Sequence, residues 1–135
     1  MSEDAVRKIG EVAEATGLSI RTLRHYDELG LVVPSGHTAG GFRLYTDDDV
    51  ERLLLVRRMK PLGFSLERMK QFLQATDVLA AGRRPQAGGS GSEERRAARA
   101  TVEEIHGEAE ARYRDLQKHL DYGAEFLQLV RERLD

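Results

Sequence analysis

The chain has 135 residues, no cysteine and a net charge of −2. Cysteine-free, it can form neither disulfides nor thiolate metal sites, iron–sulfur clusters or cysteine nucleophiles. No apolar run approaches the roughly 18–20 residues that cross a bilayer, and the acidic Met1-Ser2-Glu3-Asp4 start is unlike a signal peptide, so a soluble cytoplasmic protein is expected.

Arg7 to Ala15 reads as a first helix, with Ile9, Val12 and Ala13 on one stripe. Thr16-Gly17 stops it, Gly17 standing where a left-handed residue ends a helix. Ser19 is placed to cap a second helix, Leu18 to Leu29, which Gly30 closes. Helix, tight glycine turn, helix is the helix-turn-helix pattern. The second helix carries Arg21, Thr22, Arg24, His25 and Tyr26, an assembly of cations, hydroxyls and rings unsuited to a core, while Ile20 and Leu23 can anchor its other face.

Leu31-Val32-Val33 and Phe42-Arg43-Leu44-Tyr45 flank a turn-rich segment, Ser35 to Gly41, and together read as a β-hairpin, or wing. Arg43 and Tyr45 alternate with Phe42 and Leu44, so one pair points out and the other in. Thr46 caps a third helix, with Asp49 in the capping-box position and three aspartates at the positive helix end. That acidic triplet reads as a helix start, not a metal site. Pro61-Leu62-Gly63-Phe64 breaks this helix after Lys60, and Ser65 caps a fourth with a stripe of Leu66, Met69, Phe72 and Leu73.

Residues 77–92 are rich in Gly, Ser and Ala and read as a flexible linker. From 93 to 135 one long helical pattern follows. Its apolar positions (Val102, Ile105, Ala109, Tyr113, Leu116, Leu120, Ala124, Leu127, Val130, Leu134) recur every three or four residues. A seam this narrow marks a coiled-coil helix whose simplest partner is a second copy, preferably antiparallel. Gly123 is a candidate kink. The expected fold class is mainly α: a winged helix-turn-helix domain, 1–76, then the linker and a long dimerisation helix.

The order of these parts resembles the MerR family of bacterial transcription regulators. The resemblance rests on Ile9-Gly10-Glu11-Val12-Ala13, Thr22-Leu23-Arg24-His25-Tyr26-Asp27-Glu28-Leu29-Gly30-Leu31, Phe42-Arg43-Leu44-Tyr45 and Leu62-Gly63-Phe64-Ser65-Leu66. His25 stands where the family usually has an aromatic residue. The resemblance implies a homodimer on palindromic double-stranded promoter DNA. Bending and untwisting an overlong spacer would then act on RNA polymerase indirectly, at the deformation cost of indirect readout.

Chemistry suggests the roles. Arg21 and Thr22 lie early on the second helix and can reach base edges. Arg24, His25 and Tyr26 carry donors for phosphate oxygens, and the resemblance likewise places Arg24 and Tyr26 on the backbone. Ser19 belongs to the same surface. Arg43 and Tyr45 would grip a flanking phosphate, with Lys60 and the helix start at Ser65 as a second loop contact. The bland alternative pairs Arg24 with Asp27 or Glu28 and makes Tyr26 packing. Residues 1–75 carry eleven Lys/Arg against eleven Asp/Glu. DNA binding therefore needs charge segregated onto one face, with a moderate salt dependence.

No cofactor or metal is expected: the cysteine-using metal and redox branches are excluded, and the four histidines form no i, i+4 pair. The chain stops with the long helix, which leaves either a small organic effector, for which Tyr113, Tyr122 and Phe126 are the candidate pocket residues, or none. An enzyme is rejected for want of a nucleophile–base pair, a phosphate loop or a metal cluster. A ligand-sequestering protein is a weaker rival. The main alternative is an effector-independent architectural DNA binder, excisionase-like or nucleoid-associated.

Overall fold

The computed structural model describes residues 6–81 and 91–135. Its elements, in chain order, are β1 (Arg7–Lys8), α1 (Ile9–Thr16), α2 (Ile20–Glu28), β2 (Gly36–His37), β3 (Arg43–Tyr45), α3 (Asp47–Met59), a 3₁₀ turn (Lys60–Leu62), α4 (Leu66–Ala81) and α5 (Gly91–Leu134). The chain divides into two compact units between Leu73 and Gln74, within α4.

In the first unit the helix ends follow local chemistry. Gly17 adopts φ 75° after α1. Ser19 caps α2, its Oγ accepting from Thr22 N at 3.0 Å. Ser65 Oγ accepts from Arg68 N at 3.1 Å at the start of α4. Two ends are also satisfied from afar. Arg57 of α3 donates to Thr16 O at 2.6 Å, and Lys70 of α4 donates to Leu29 O at 3.4 Å. These contacts join helices that sequence periodicity treats as independent.

Asp49 is both cap and hub. It completes the capping box of α3, accepting from Thr46 N at 2.9 Å while its own N–H reaches Thr46 Oγ1 at 3.2 Å. It also accepts from Ser35 N at 3.0 Å and Ser35 Oγ at 2.9 Å, fastening the base of the wing. The side chain is 5% exposed. Asp49→Ala would leave two amides of this half-closed site without their acceptor. It is expected to cost about 3 kcal/mol, because hydrogen bonds to a buried charge are the strong ones. Urea unfolding reads the loss, and Asp49→Asn should lose less.

The core of this unit is mostly aliphatic: Val12, Leu23, Leu31, Val32, Val50, Leu53, Val56, Met59, Met69 and Leu73 are buried, with the rings of Tyr26, Tyr45 and Phe64 among them. Leu66, expected in the buried stripe of α4, sits exposed in its first turn.

The sheet differs from the sequence expectation. Arg7–Lys8 is not helical but an edge strand, paired antiparallel with β3 through Arg7↔Tyr45 and Lys8↔Leu44. The strand order is β1-β3-β2. Leu31 to Val33 is not a strand. The amides of Leu31 and Val32 turn back onto Tyr26 O at 2.9 and 3.4 Å, so Leu31 and Val32 plug the end of α2. The second strand of the wing begins only at Gly36.

In the second unit α4 continues to Ala81 and α5 begins at Gly91. The ends of the expected linker are thus helical, and its remainder, 82–90, lies outside the described residues. Arg95 of α5 donates to Leu79 O at 3.0 Å. The 44 residues of α5 form one helix without a break at Gly123, about 66 Å long at ~1.5 Å per residue. Ala98 and Ile105 are buried. From Tyr113 onward the large residues of the stripe (Tyr113, Leu116, Leu120, Leu127, Val130, Leu134) are all exposed. No helix among the described residues is long and apolar enough to cross a membrane.

Candidate nucleic-acid interface

α2 buries Leu23 and Tyr26 and presents the rest. At ~100° per residue Arg21, Arg24, His25 and Glu28 fall on one face, and together with Ile20 and Thr22 they line a shallow concave surface. Arg21, Arg24 and His25 are exposed. Their side chains make no hydrogen bond or ion pair to any described residue. The pairing of Arg24 with Asp27 or Glu28 is therefore not formed.

Asp27 is engaged elsewhere. It accepts from Arg43 Nε at 2.7 Å, with side-chain exposures of 19% and 28%. The bond crosses from α2 to β3 and holds the wing against α2. The Asp27 carboxylate raises the Arg43 pKa further above its already high ordinary value, chiefly through this hydrogen bond. Arg43 therefore does not stand on the wing as an uncommitted cation. One edge of its guanidinium is spent on Asp27, and what is left for a phosphate is the remainder of its fork of donors.

The wing's alternation is the reverse of the expected one. Tyr45 is fully buried and Phe42 is 71% exposed. The unforeseen β1 pairs with β3 at Arg7↔Tyr45 and Lys8↔Leu44, and in this three-residue strand it is the Tyr45 side that meets the core. Phe42 is instead held at the turn, where Thr38 N donates to Phe42 O at 2.8 Å and Phe42 N donates to Thr38 Oγ1 at 3.1 Å. Tyr45 thus cannot grip a phosphate from this position. Tyr26, also expected at a phosphate, is packing as the bland alternative had it, since its ring is 2% exposed. The hydroxyls of both rings are buried and have no hydrogen-bond partner among the described residues.

Burial raises the Tyr45 pKa above its ordinary value of 10.0, with the Asp27 charge adding to the rise. A phenol whose folded pKa is raised stabilises the fold fully below its unfolded pKa and loses that contribution as pH climbs through the folded value. The expected result is a thermal midpoint that falls above about pH 10 in the wild type and falls less in Tyr45→Phe. At neutral pH the variant should be neutral or slightly stabilised, since it removes an unpartnered buried hydroxyl. DNA affinity should stay within about twofold, well under the loss expected for a charge-assisted phosphate contact.

Ser19 and Thr22 are partly committed. Ser19 Oγ donates to Thr22 Oγ1 at 2.9 Å besides capping the helix, so Thr22 is half-buried in the cap. Ile20, expected to anchor the buried face, is 39% exposed and lies on the concave surface. Lys60 and Ser65 are both exposed around the 3₁₀ turn, where Gly63 at φ 81° reverses the chain. They are available together as a second contact. Sequence reasoning missed Asp27, Arg57 and Lys70 as connectors, because each bonds to a residue far away in the chain and no local pattern marks it.

The aromatic residues considered for an effector do not converge. Tyr113 lies on the seam of α5, and Tyr122, nine positions later, faces about 180° away. Phe126 sits one turn beyond Tyr122, and all three are exposed. Among the described residues no cluster of three His, Asp or Glu could hold a metal ion.

A helix-turn-helix with an exposed cationic second helix, a three-stranded wing and a long terminal helix is now in view, and comparison with known proteins places it. Residues 7–76 match the family model described as MerR HTH family regulatory protein. The chain belongs to the MerR family. Over 66 residues it is 47% identical to the HTH-type transcriptional activator mta of Bacillus subtilis, covering 49% of this chain and 26% of that protein. Over 72 residues it is 43% identical to the nodulation protein NolA of Bradyrhizobium elkanii, covering 53% and 33%. The MerR-type chain thus spans about a third or less of these two curated relatives. Among solved structures, it is similar to HiNmlR, a MerR family regulator lacking the sensor domain, bound to promoter DNA. That likeness has a TM-score of 0.68 and 27% identity, and covers 95% of this chain and 92% of the other.

Proposed function

We propose that this MerR-type DNA-binding regulator acts as a homodimer on a palindromic promoter site. α2 enters the major groove, with Arg21 at base edges and Arg24 and His25 at phosphates. The remaining donors of Arg43, with Lys60 and Ser65, brace the flanks. Two α5 helices pair antiparallel and set the distance between the heads. The single observation that carries the proposal is the exposed Arg21/Arg24/His25 face of α2, whose side chains bond to no other residue among those described. The exposed α5 stripe supports the dimer, because a coiled-coil seam left open to water is a partner surface. HiNmlR, a MerR family regulator bound to promoter DNA and similar over nearly its whole length, supports promoter binding by this chain. With Tyr113 on another face from Tyr122 and Phe126, the proposal includes no effector.

Distortion of the promoter spacer is the proposed route to regulation, and RNA polymerase is the indirect partner. In vitro transcription from promoters whose spacers differ in length tests it. The protein at saturation should change initiation on the long spacer and have less effect on a spacer of ordinary length. Binding with no change in initiation on any spacer would favour the architectural alternative.

A further inference from the structure

We infer that Ile20 is a base-reading residue that recognises the 5-methyl group of a thymine. The inference rests on the proposal that α2 lies in the major groove. Ile20 is the first residue of α2 and is 39% exposed. It lies on the same concave surface as Arg21, Arg24, His25 and Glu28, where it is the one purely apolar side chain. Ile20 lies outside the fully buried face of the helix, which Leu23 and Tyr26 supply, and keeps part of its side chain open to solvent. The N-terminal residues of a recognition helix are those that reach base edges. Of the polar side chains at that end, Ser19 and Thr22 are tied to one another and to the helix cap. Arg21 and Ile20 are left to read sequence. The major groove displays one apolar group, the thymine methyl, and a branched aliphatic side chain is its match. Arg21 beside it matches the two acceptors of guanine. Ile20 and Arg21 are neighbours on the first turn of α2, so the thymine and the guanine should fall in the same half-site, within a few base steps of ~3.4 Å each.

The test begins with sequences selected from random DNA by the full-length protein. Each thymine of the selected half-site is then replaced by deoxyuridine, which removes only the methyl. At one position, in the same half-site as a preferred guanine, the wild type should lose about fourfold in affinity, as expected for about 0.8 kcal/mol of one buried methyl(ene) group. Ile20→Ala should bind the thymine and deoxyuridine sites equally, whereas Ile20→Val should keep part of the difference. If no deoxyuridine position weakens specific binding by the wild type, the inference fails while the DNA-binding proposal stands. An unchanged deoxyuridine penalty in Ile20→Ala overturns it likewise. Absence of any selected sequence would overturn the proposed function and the inference with it. The deoxyuridine scan on the wild type can overturn the inference by itself, and Ile20→Val, the milder change, carries the assignment to Ile20 where Ile20→Ala folds poorly.

Discussion

Ending the chain after Arg112 removes the exposed seam from Tyr113 to Leu134 and is expected to yield a monomer that binds the full palindrome about 100- to 10,000-fold more weakly than the intact chain, because one tethered head no longer supplies the effective concentration for the other. Affinity for an isolated half-site should hardly change. The gentler form of the experiment is Leu120→Glu with Leu127→Glu. Both side chains are exposed in the single chain, so a charge there leaves the α5 helix intact while a seam between two copies would be broken. Sedimentation gives the assembly state, and gel shifts on full and half sites give the two affinities. A monomeric variant with undiminished affinity for the full site would sink the dimer proposal.

The second large effect separates two arginines three residues apart. Arg21→Ala is expected to cost about 1–3 kcal/mol per half-site and to flatten preference at one base pair. Arg24→Ala should weaken binding to every sequence by a similar factor and reduce the salt slope by about one per copy. The contrast, not either loss alone, assigns reading to one residue and positioning to the other. Equal loss of preference in both variants would mean that Arg24 also reaches a base edge. The balanced charge of residues 1–75 makes the experiment sensitive, since no diffuse basic surface would mask a lost cation.

The parts of this architecture that were legible in the sequence are those specified by neighbours. Ser19, Thr46 with Asp49, Ser65 and Gly17 announce helix ends by side-chain chemistry or backbone freedom within four residues, and all four do so in the structure. The long helix was legible because its period repeats many times. What could not be read depends on partners distant in the chain. β3 is only three residues long and its pairing with Arg7 and Lys8 is not visible in local pattern, so its alternation could be assigned either way round, and Tyr45 and Phe42 exchange their expected sides. Leu31 to Val33 has strand composition but is captured by the carbonyl of Tyr26 before it can pair. The position of Ile20 shows the same limit. Spacing of three from Leu23 is compatible with a shared buried face, yet the first turn of a helix can leave its apolar residue outside. At the candidate site, residue types singled out one stretch of α2 and the wing, but only geometry separates the exposed Arg21, Arg24 and His25 from Tyr26 and Tyr45, whose donors are buried.

The bond between Asp27 and Arg43 bears on how this regulator could be re-engineered. It makes helix and wing a single transplantable module. A recognition helix exchanged with that of another family member would have to bring its own residue at position 27, or the donor's wing as well. A swap that delivers an uncharged residue there strands Arg43 without its anion. The wing would be released even if every base-reading side chain had been transferred correctly, so replacing Ile20 and Arg21, the proposed base readers, in place is a safer design than grafting α2 whole.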